Sequence, residues 1–445
     1  MPVATPTEVR QVGLALESVR GTAPAAPTKF MSLTKDSNVD YMTKVLPDPA
    51  LRGYSAHFAG FAGAQEGKGP LKTPVRASDV GYFLKMLLGA PSSSVEQASF
   101  VVTASSNDRI DFNIGAGNLV ATIPPGTYIM GQTQADALSL CKAVYDAIVA
   151  AEAVGVYTVA YSRTTGFVTV TRSTGTFQMK FLTGTNTART IAPLLGYAVA
   201  DQTGALTYTG TTELRPPFKH TFVQGSTVQL PSYSIYINRG MAANPTKVYN
   251  LGSMSKLKLS GKDDAPVDVE ASLMAQAEAV YAGAWTPVYS ESPVLMFSQT
   301  TVKVAGSAST VPNVADWSVD MDPGLKAYRP LSQQLYPQDF LAAGPFGAGG
   351  DMTVYFMDET ERAKFIAKTA TTLEFLIEGT VVAGGTVKNT VDLFFPVVEY
   401  EAFPFGDQNG FLGAKVKWGA KGSFSAGVFV PTVTAYVING VPPGF

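Results

Sequence analysis

The chain has 445 residues, with 33 lysines and arginines, 35 aspartates and glutamates, two histidines and one cysteine. A hydrophobic content of 46% and a net charge of −2 exclude a disordered chain, and the lack of a basic excess weighs against a nucleic-acid-binding surface spread over the whole protein. Only 15% of the residues are charged, against about 25% in an average soluble domain, which leans towards a subunit that buries its surface in an assembly.

Length alone suggests two to four domains. The opening Met1-Pro2-Val3-Ala4-Thr5-Pro6-Thr7-Glu8 has no basic region followed by an apolar run, so no secretory signal is expected and synthesis in a cytoplasm is. A helix is expected over Ala77 to Leu88, with Val80, Phe83, Leu84, Leu87 and Leu88 on one face. Ser78 is its expected cap, and Gly89 and Pro91 stop it.

Residues 99–213 look like a module of their own, an α+β unit of about 115 residues, a normal domain size. Strands are expected at Asp108 to Asn113 and Asn118 to Ile123. A helix should follow over Gln134 to about Ala151, with Thr133 and Asp136 as a capping-box-like start and Leu138, Cys141, Tyr145 and Ile148 as its stripe. Tyr157, Val159 and Tyr161 then alternate, residues 163–166 turn, and Val168 and Val170 alternate. Phe177, Met179 and Phe181 form a further alternating run.

Beyond the module most of the chain reads as strands. Leu257 and Leu259 alternate with lysines and Ser260. Val267, Val269, Ala271 and Leu273 alternate with polar residues, as do Leu373, Phe375 and Ile377. The stretch from Gly422 to Phe445 is uncharged but carries three prolines, so it is not a membrane-spanning helix. A single cysteine leaves no intrachain disulfide.

With the module set aside, the remainder repeats itself. Asp36-Ser37-Asn38-Val39-Asp40-Tyr41 matches Asp316-Trp317-Ser318-Val319-Asp320-Met321 at an offset of 280. Each copy is followed by a long loop, a glycine-rich turn (60–69 and 344–350), then a strand and short helix. Ser232 to Gly240 matches Thr371 to Gly379 at 139, and 251–279 matches 393–421 at 142. The division expected is therefore 1–98 and 214–290 as a first repeat, 99–213 as an inserted module, and 291–445 as a second repeat.

Catalytic chemistry is sparse. His57 and His220 are flanked by aromatics, as satisfied or surface histidines are, and two isolated histidines with one helical cysteine cannot make a common zinc set. Cys141 reads as a buried small hydrophobe rather than a nucleophile. Residues 63–69 are glycine-rich but lack the spacing and the hydroxyl residue of a phosphate loop. Asp316, Asp320 and Asp322 lack the glutamate of a calcium loop, and Asp322-Pro323-Gly324 is turn chemistry. Lys256, Lys258 and Lys262 read as a solvated strand edge. No catalytic residue, cofactor or metal site is expected.

The opening Val12-Gly13-Leu14-Ala15-Leu16-Glu17-Ser18-Val19-Arg20-Gly21-Thr22-Ala23-Pro24 resembles the N-terminus of major tail tube proteins of long-tailed, non-contractile, siphovirus-type bacteriophages. Leu51-Arg52-Gly53, Val75-Arg76, Lys219-His220-Thr221-Phe222 and the 251–274 strand pair add to the likeness. Residues 111–113, 121–128 and 191–197 of the module also resemble a domain of phage virion proteins.

The resemblance implies a mainly β fold: two tandem tube-type β-sandwich or barrel repeats, each with a short flanking helix, plus the inserted α+β domain. It implies a non-enzymatic structural protein, made in the bacterial host cytoplasm and placed in the virion tail. Its rings stack into a tube through which DNA passes unbound, alongside tape-measure and terminator proteins, with no membrane insertion. Duplication favours three-chain rings of pseudo-sixfold symmetry over hexameric ones. The module is expected to project outwards. Tyr41, Leu46, Leu51, Arg52, Phe58 and Phe61, in an apolar loop, are the expected inter-ring contacts. Rival readings are a tail terminator or decoration protein, a β-sandwich adhesin, and a polysaccharide-degrading tail enzyme, which would need paired carboxylates in a groove.

Overall fold

In the computed structural model the described residues are 10–46, 61–225, 229–240, 246–289, 292–305, 313–331, 334–356, 359–382, 385–425 and 427–445. The fold is mainly β. The elements that organise it are, in chain order, β1 (Gln11–Leu16), β2 (Asp40–Leu46), β3 (Phe61–Pro74), α1 (Ala77–Leu88), β4 (Ser93–Glu96), α2 (Leu140–Ala151), β5 (Phe218–Val223), β6 (Tyr233–Asn238), β7 (Lys247–Lys262) and β8 (Asp268–Ala275). After them come β9 (Thr300–Val304), β10 (Val314–Asp322), β11 (Gly347–Tyr355), α3 (Thr360–Ala367), β12 (Thr371–Val381), β13 (Lys388–Ala402), β14 (Phe405–Gln408), β15 (Phe411–Ala420) and β16 (Thr434–Asn439).

One order of antiparallel pairing occurs twice. In the first half β1 pairs with β6, β6 with β7, β7 with β8, β8 with β3, and β3 with β2. In the second half β9 pairs with β12, β12 with β13, β13 with β15, β15 with β11, and β11 with β10. Irregularities in register recur as well. The shift between Tyr233 and Ile235 has its counterpart between Thr371 and Leu373, and that between Met254 and Lys256 between Tyr400 and Ala402. Such bulges add local twist, so the two sheets bend at equivalent places.

These registers equate Asp40 with Asp320, at the 280-residue offset read from the sequence. They equate Met254 with Tyr400, 146 residues on rather than 142, and Ile235 with Leu373, 138 residues on rather than 139. The one-residue difference matters, because it moves every side chain to the other face. Ile235 and Leu373 are both fully buried.

The halves are not separate bodies. β7 pairs with β10, Leu257 opposite Met321 and Leu259 opposite Val319, and one core contains Leu257, Trp317, Phe375, Val391 and Trp418 together. β16 extends the second half's sheet by pairing with β13, and β5 and β4 follow outward. A second core runs from Phe100 to Leu214 and contains no residue outside that span. The chain leaves for this unit through β4 and returns through β5, which pair with each other, Phe218 opposite Glu96.

Helix α1 has the expected bounds. Gly89 ends it at φ 98°, a conformation glycine adopts without strain, and its N–H bonds the Lys85 carbonyl. Ser78 does not cap it; Arg76 holds that position without a side-chain bond, and the Ser78 hydroxyl donates to Asp79 instead. Every residue of α1 except Tyr82 is buried, so the stripe read from its sequence is one part of a wholly enclosed helix.

Helix α2 begins six residues later than expected. The Asp136 carboxylate accepts from the Gln132 and Thr133 amides and holds a turn there, and the Ser139 hydroxyl caps the helix through the Cys141 amide. Leu138 is consequently 75% exposed at φ 57° rather than part of the stripe.

The glycine-rich segments expected as turns are largely strand. Residues 63–69 lie within β3 and 347–350 within β11. The reason is close backbone approach. A Cβ on Gly69 would lie 1.7 Å from the Asn38 carbonyl oxygen, and one on Gly350 would lie 1.9 Å from the Ser318 carbonyl oxygen. Asn38 and Ser318 are 280 residues apart, so the same tight crossing occurs in both halves.

Candidate assembly surfaces

Strands β2 and β3 form a hairpin arm, Asp40 opposite Lys68 at its base and Leu46 opposite Phe61 at its far described end. All seven residues of β2 are exposed. The alternation that buries one face of a strand is absent here: Met42 is 55%, Val45 69%, Leu46 42% and Phe61 60% exposed. Of the six residues expected to make inter-ring contacts, Tyr41, Leu46 and Phe61 therefore come together on one arm. Leu51, Arg52 and Phe58 lie outside the described residues. Tyr41 donates to Gln65 across the arm at 2.6 Å. Met42 and Val45 share the arm without being among the six expected contacts; consecutive apolar residues, Tyr41-Met42 and Val45-Leu46, inside a polar strand are the sequence signal that marks them.

A second apolar surface lies at the far end of the second half. Phe405, Phe411 and Leu412 of β14 and β15 are 45%, 68% and 56% exposed. Phe405 packs edge-on against Phe356 and Phe403, so its ring is held rather than loose.

The residues weighed for chemistry have structural partners. His220 is fully buried. Its Nδ1 meets the Ser94 hydroxyl at 3.1 Å, and its Nε2 lies 3.2 Å from Asn439 Oδ1 and 3.0 Å from the Val441 carbonyl. Burial lowers its pKa, against the pull of the last two oxygens. His57 lies outside the described residues. Burial pushes the Cys141 thiol up to about 12, the reverse of what a nucleophile needs. Asp316 accepts from the Thr353 hydroxyl, Asp320 pairs with Lys256 at 3.0 Å, and Asp322 accepts from the Gly324 amide. These three carboxylates are thus engaged in the sheet and its turn.

Among the described carboxyls a large shift falls on Asp392 of β13, which interrupts the run Val391-Asp392-Leu393. It faces away from the core, opposite Leu376 and Tyr436. Burial, reinforced by Glu374, raises it to about 7, and one of its oxygens has no hydrogen-bond partner. Lys303 is engaged with Glu374 at 2.6 Å, and Lys219 lies over the Tyr436 ring at 4.3 Å, so neither neutralises it fully. A free carboxyl titrates near 3.9. Between about pH 4 and 7 the folded chain therefore holds the extra proton, and stability falls as the pH rises through that window. Asp392→Asn should match the native chain at pH 4 and exceed it by about 1–3 kcal/mol at pH 8. Urea unfolding at the two pH values measures this; equal stability at both would remove the buried charge from the account.

The sheet of paired repeats and the exposed arm are joined by one comparison. A family model described as phage tail tube protein matches residues 7–410, nearly the whole chain. The chain belongs to the phage tail tube protein family. No curated protein matches it. It is a structural component of a phage tail, and the family implies assembly into a tube with other tail proteins. In a tail tube protein, surfaces that are apolar yet exposed on the single chain are places where other subunits can sit. Among the described residues no helix is long and apolar enough to cross a membrane.

Proposed function

We propose that three chains close into a ring of six tube-type repeats, and that stacked rings form the tail tube of a long-tailed, non-contractile phage through which DNA is ejected. The observation that carries this reading is the twofold pairing order, with its register shifts at equivalent positions and a β7–β10 seam joining the halves. A chain that already places two like repeats side by side needs the same step repeated to close a ring, because head-to-tail contacts of fixed geometry close when their rotation divides a circle.

In this reading residues 1–98 with 214–290, and 291–445, are the two tube repeats. Residues 99–213, with their own core, project from the outer wall, since about 115 residues inside would obstruct a channel of DNA width. The β2–β3 arm reaches the neighbouring ring through Leu46 and Phe61, with Leu51, Arg52 and Phe58 of the same loop, while Tyr41 lies at its base. A net charge of −2 suits a lumen that conducts DNA without holding it, because basic contacts would bind phosphates. Assembly takes place in the bacterial cytoplasm, with the tape measure inside and a terminator at the end.

Native mass measurement of rings released from the tube tests the stoichiometry. Three chains per ring are expected; six would overturn it.

A further inference from the structure

The seam inside one chain indicates how its two open edges can be used. At that seam the end of β7 pairs with β10, and Leu259, Val319 and Met321 become fully buried. The second repeat carries the counterpart of the β7 edge: residues 402–408, 146 positions beyond 256–262, where β13 ends and β14 begins. The first repeat carries the counterpart of β10: residues 36–42, 280 positions before 316–322. Within the chain, β14 pairs with β15 and β2 pairs with β3, each along one side. Unpaired strand edges invite another chain.

The hydrogen-bond directions of these two edges match. The Lys415 amide donates to the Pro404 carbonyl at 3.0 Å, so Pro404 and Gly406 face β15 while Phe403 and Phe405 turn their N–H and C=O outwards. Asn38 donates to the Pro70 carbonyl at 2.9 Å, so Asn38 and Asp40 face β3 while Val39 and Tyr41 turn theirs outwards. Carrying the β7–β10 register over sets Phe403 opposite Tyr41 and Phe405 opposite Val39, outward groups against outward groups. A slip of one residue would destroy the match. Pro404, which has no N–H, stands where its missing donor would have faced β15, so it does not interrupt the open edge.

The side chains agree. Tyr41 and Phe405 are 36% and 45% exposed, whereas their counterparts Met321 and Leu259 are fully buried.

We propose, building on the three-chain ring above, that a second copy of this chain completes the ring through the same seam, residues 403–406 of one chain pairing antiparallel with 38–41 of the next. Asn38 then faces Gly406, and Asp40 faces Pro404. Both are non-hydrogen-bonded pairs, whose Cβ atoms lie about 4.5–5.5 Å apart, near enough for a disulfide after slight adjustment.

Asn38→Cys combined with Gly406→Cys tests the seam. A Cβ at Gly406 meets nothing within 4 Å, and the native Cys141 is buried out of competition. Tubes assembled from the double variant are oxidised and run on a denaturing, non-reducing gel. A ladder of one, two and three chains that stops at three is expected, with no ladder from either single variant. Asp40→Cys with Pro404→Cys is the second pair, should the first impair folding, and must give the same ladder. Asn38→Cys with Phe405→Cys, one residue out of register, should stay monomeric. A ladder reaching six would uphold the seam and overturn the three-chain count. Intact tubes that yield only monomers for both in-register pairs would overturn the seam and leave the ring reading standing.

Discussion

Changing Leu46 and Phe61 together to aspartate should leave a folded subunit that no longer builds tubes. The two residues are cross-strand partners at the described end of the β2–β3 arm, 42% and 60% exposed, and neither belongs to the hydrophobic core. Two carboxylates facing each other there cost the hairpin less than about 1 kcal/mol. The melting temperature should therefore move by no more than a few degrees. Assembly is different. An apolar surface that also includes Met42 and Val45 is suited to burial against a neighbour, and a carboxylate enclosed there without a partner costs several kcal/mol. Each ring–ring contact would meet that cost several times over, which is enough to shift a polymer to free subunits or rings. Electron microscopy beside a thermal melt separates the two effects. Normal tubes would remove the arm from the ring–ring interface.

Trp418→Ala is expected to lower stability by about 3–5 kcal/mol, the range for removing a large aromatic side chain from a core. Trp418 is 1% exposed, with the rings of Phe395 and Phe375 at 5.0 and 5.8 Å, and Trp317 lies against Phe375 at 4.9 Å. Its place depends on Gly350, where a Cβ would lie 3.1 Å from the Trp418 ring as well as 1.9 Å from the Ser318 oxygen. Gly350→Ala should consequently cost about 1–3 kcal/mol or more through overpacking, and Gly69→Ala, at the matching crossing, a similar amount. Denaturant unfolding followed by circular dichroism gives all three values. Because one core spans both halves, damage in either should lower the same transition. If Trp418→Ala shifted the midpoint by less than the equivalent of about 1 kcal/mol, the shared core would be wrong.

Much of this molecule is legible along the chain because the information is local. The α1 boundaries follow from residue spacing and Gly89. The buried strands at 257–259, 267–273 and 373–377 follow from simple alternation, and the tail tube family from a run of short motifs. The Asp36–Tyr41 and Asp316–Met321 match gave the right offset because the backbone pairs identically around it. The weaker matches slid, by four residues in β7 and β13 and by one in β6 and β12. Alternating strands look alike when shifted by an even number, which hid the slip in β7 and β13, and β6 is buried on both faces, so no alternation marked its register.

What lay beyond the chain's local pattern was settled by contacts between distant segments. The start of α2 moved because Asp136 found backbone amides of its own, and residues 63–69 became strand because a neighbouring backbone needed their missing Cβ atoms. Asp392 looked like any polar residue in a strand until packing removed its solvent. The inter-ring residues are read from the apolar character of their loop, and only three of the six fall within the described structure. Above all, which strand edges are already paired and which are open is a property of the folded sheet. Hydrogen-bond partners hundreds of residues apart decide it, and no window of sequence contains both.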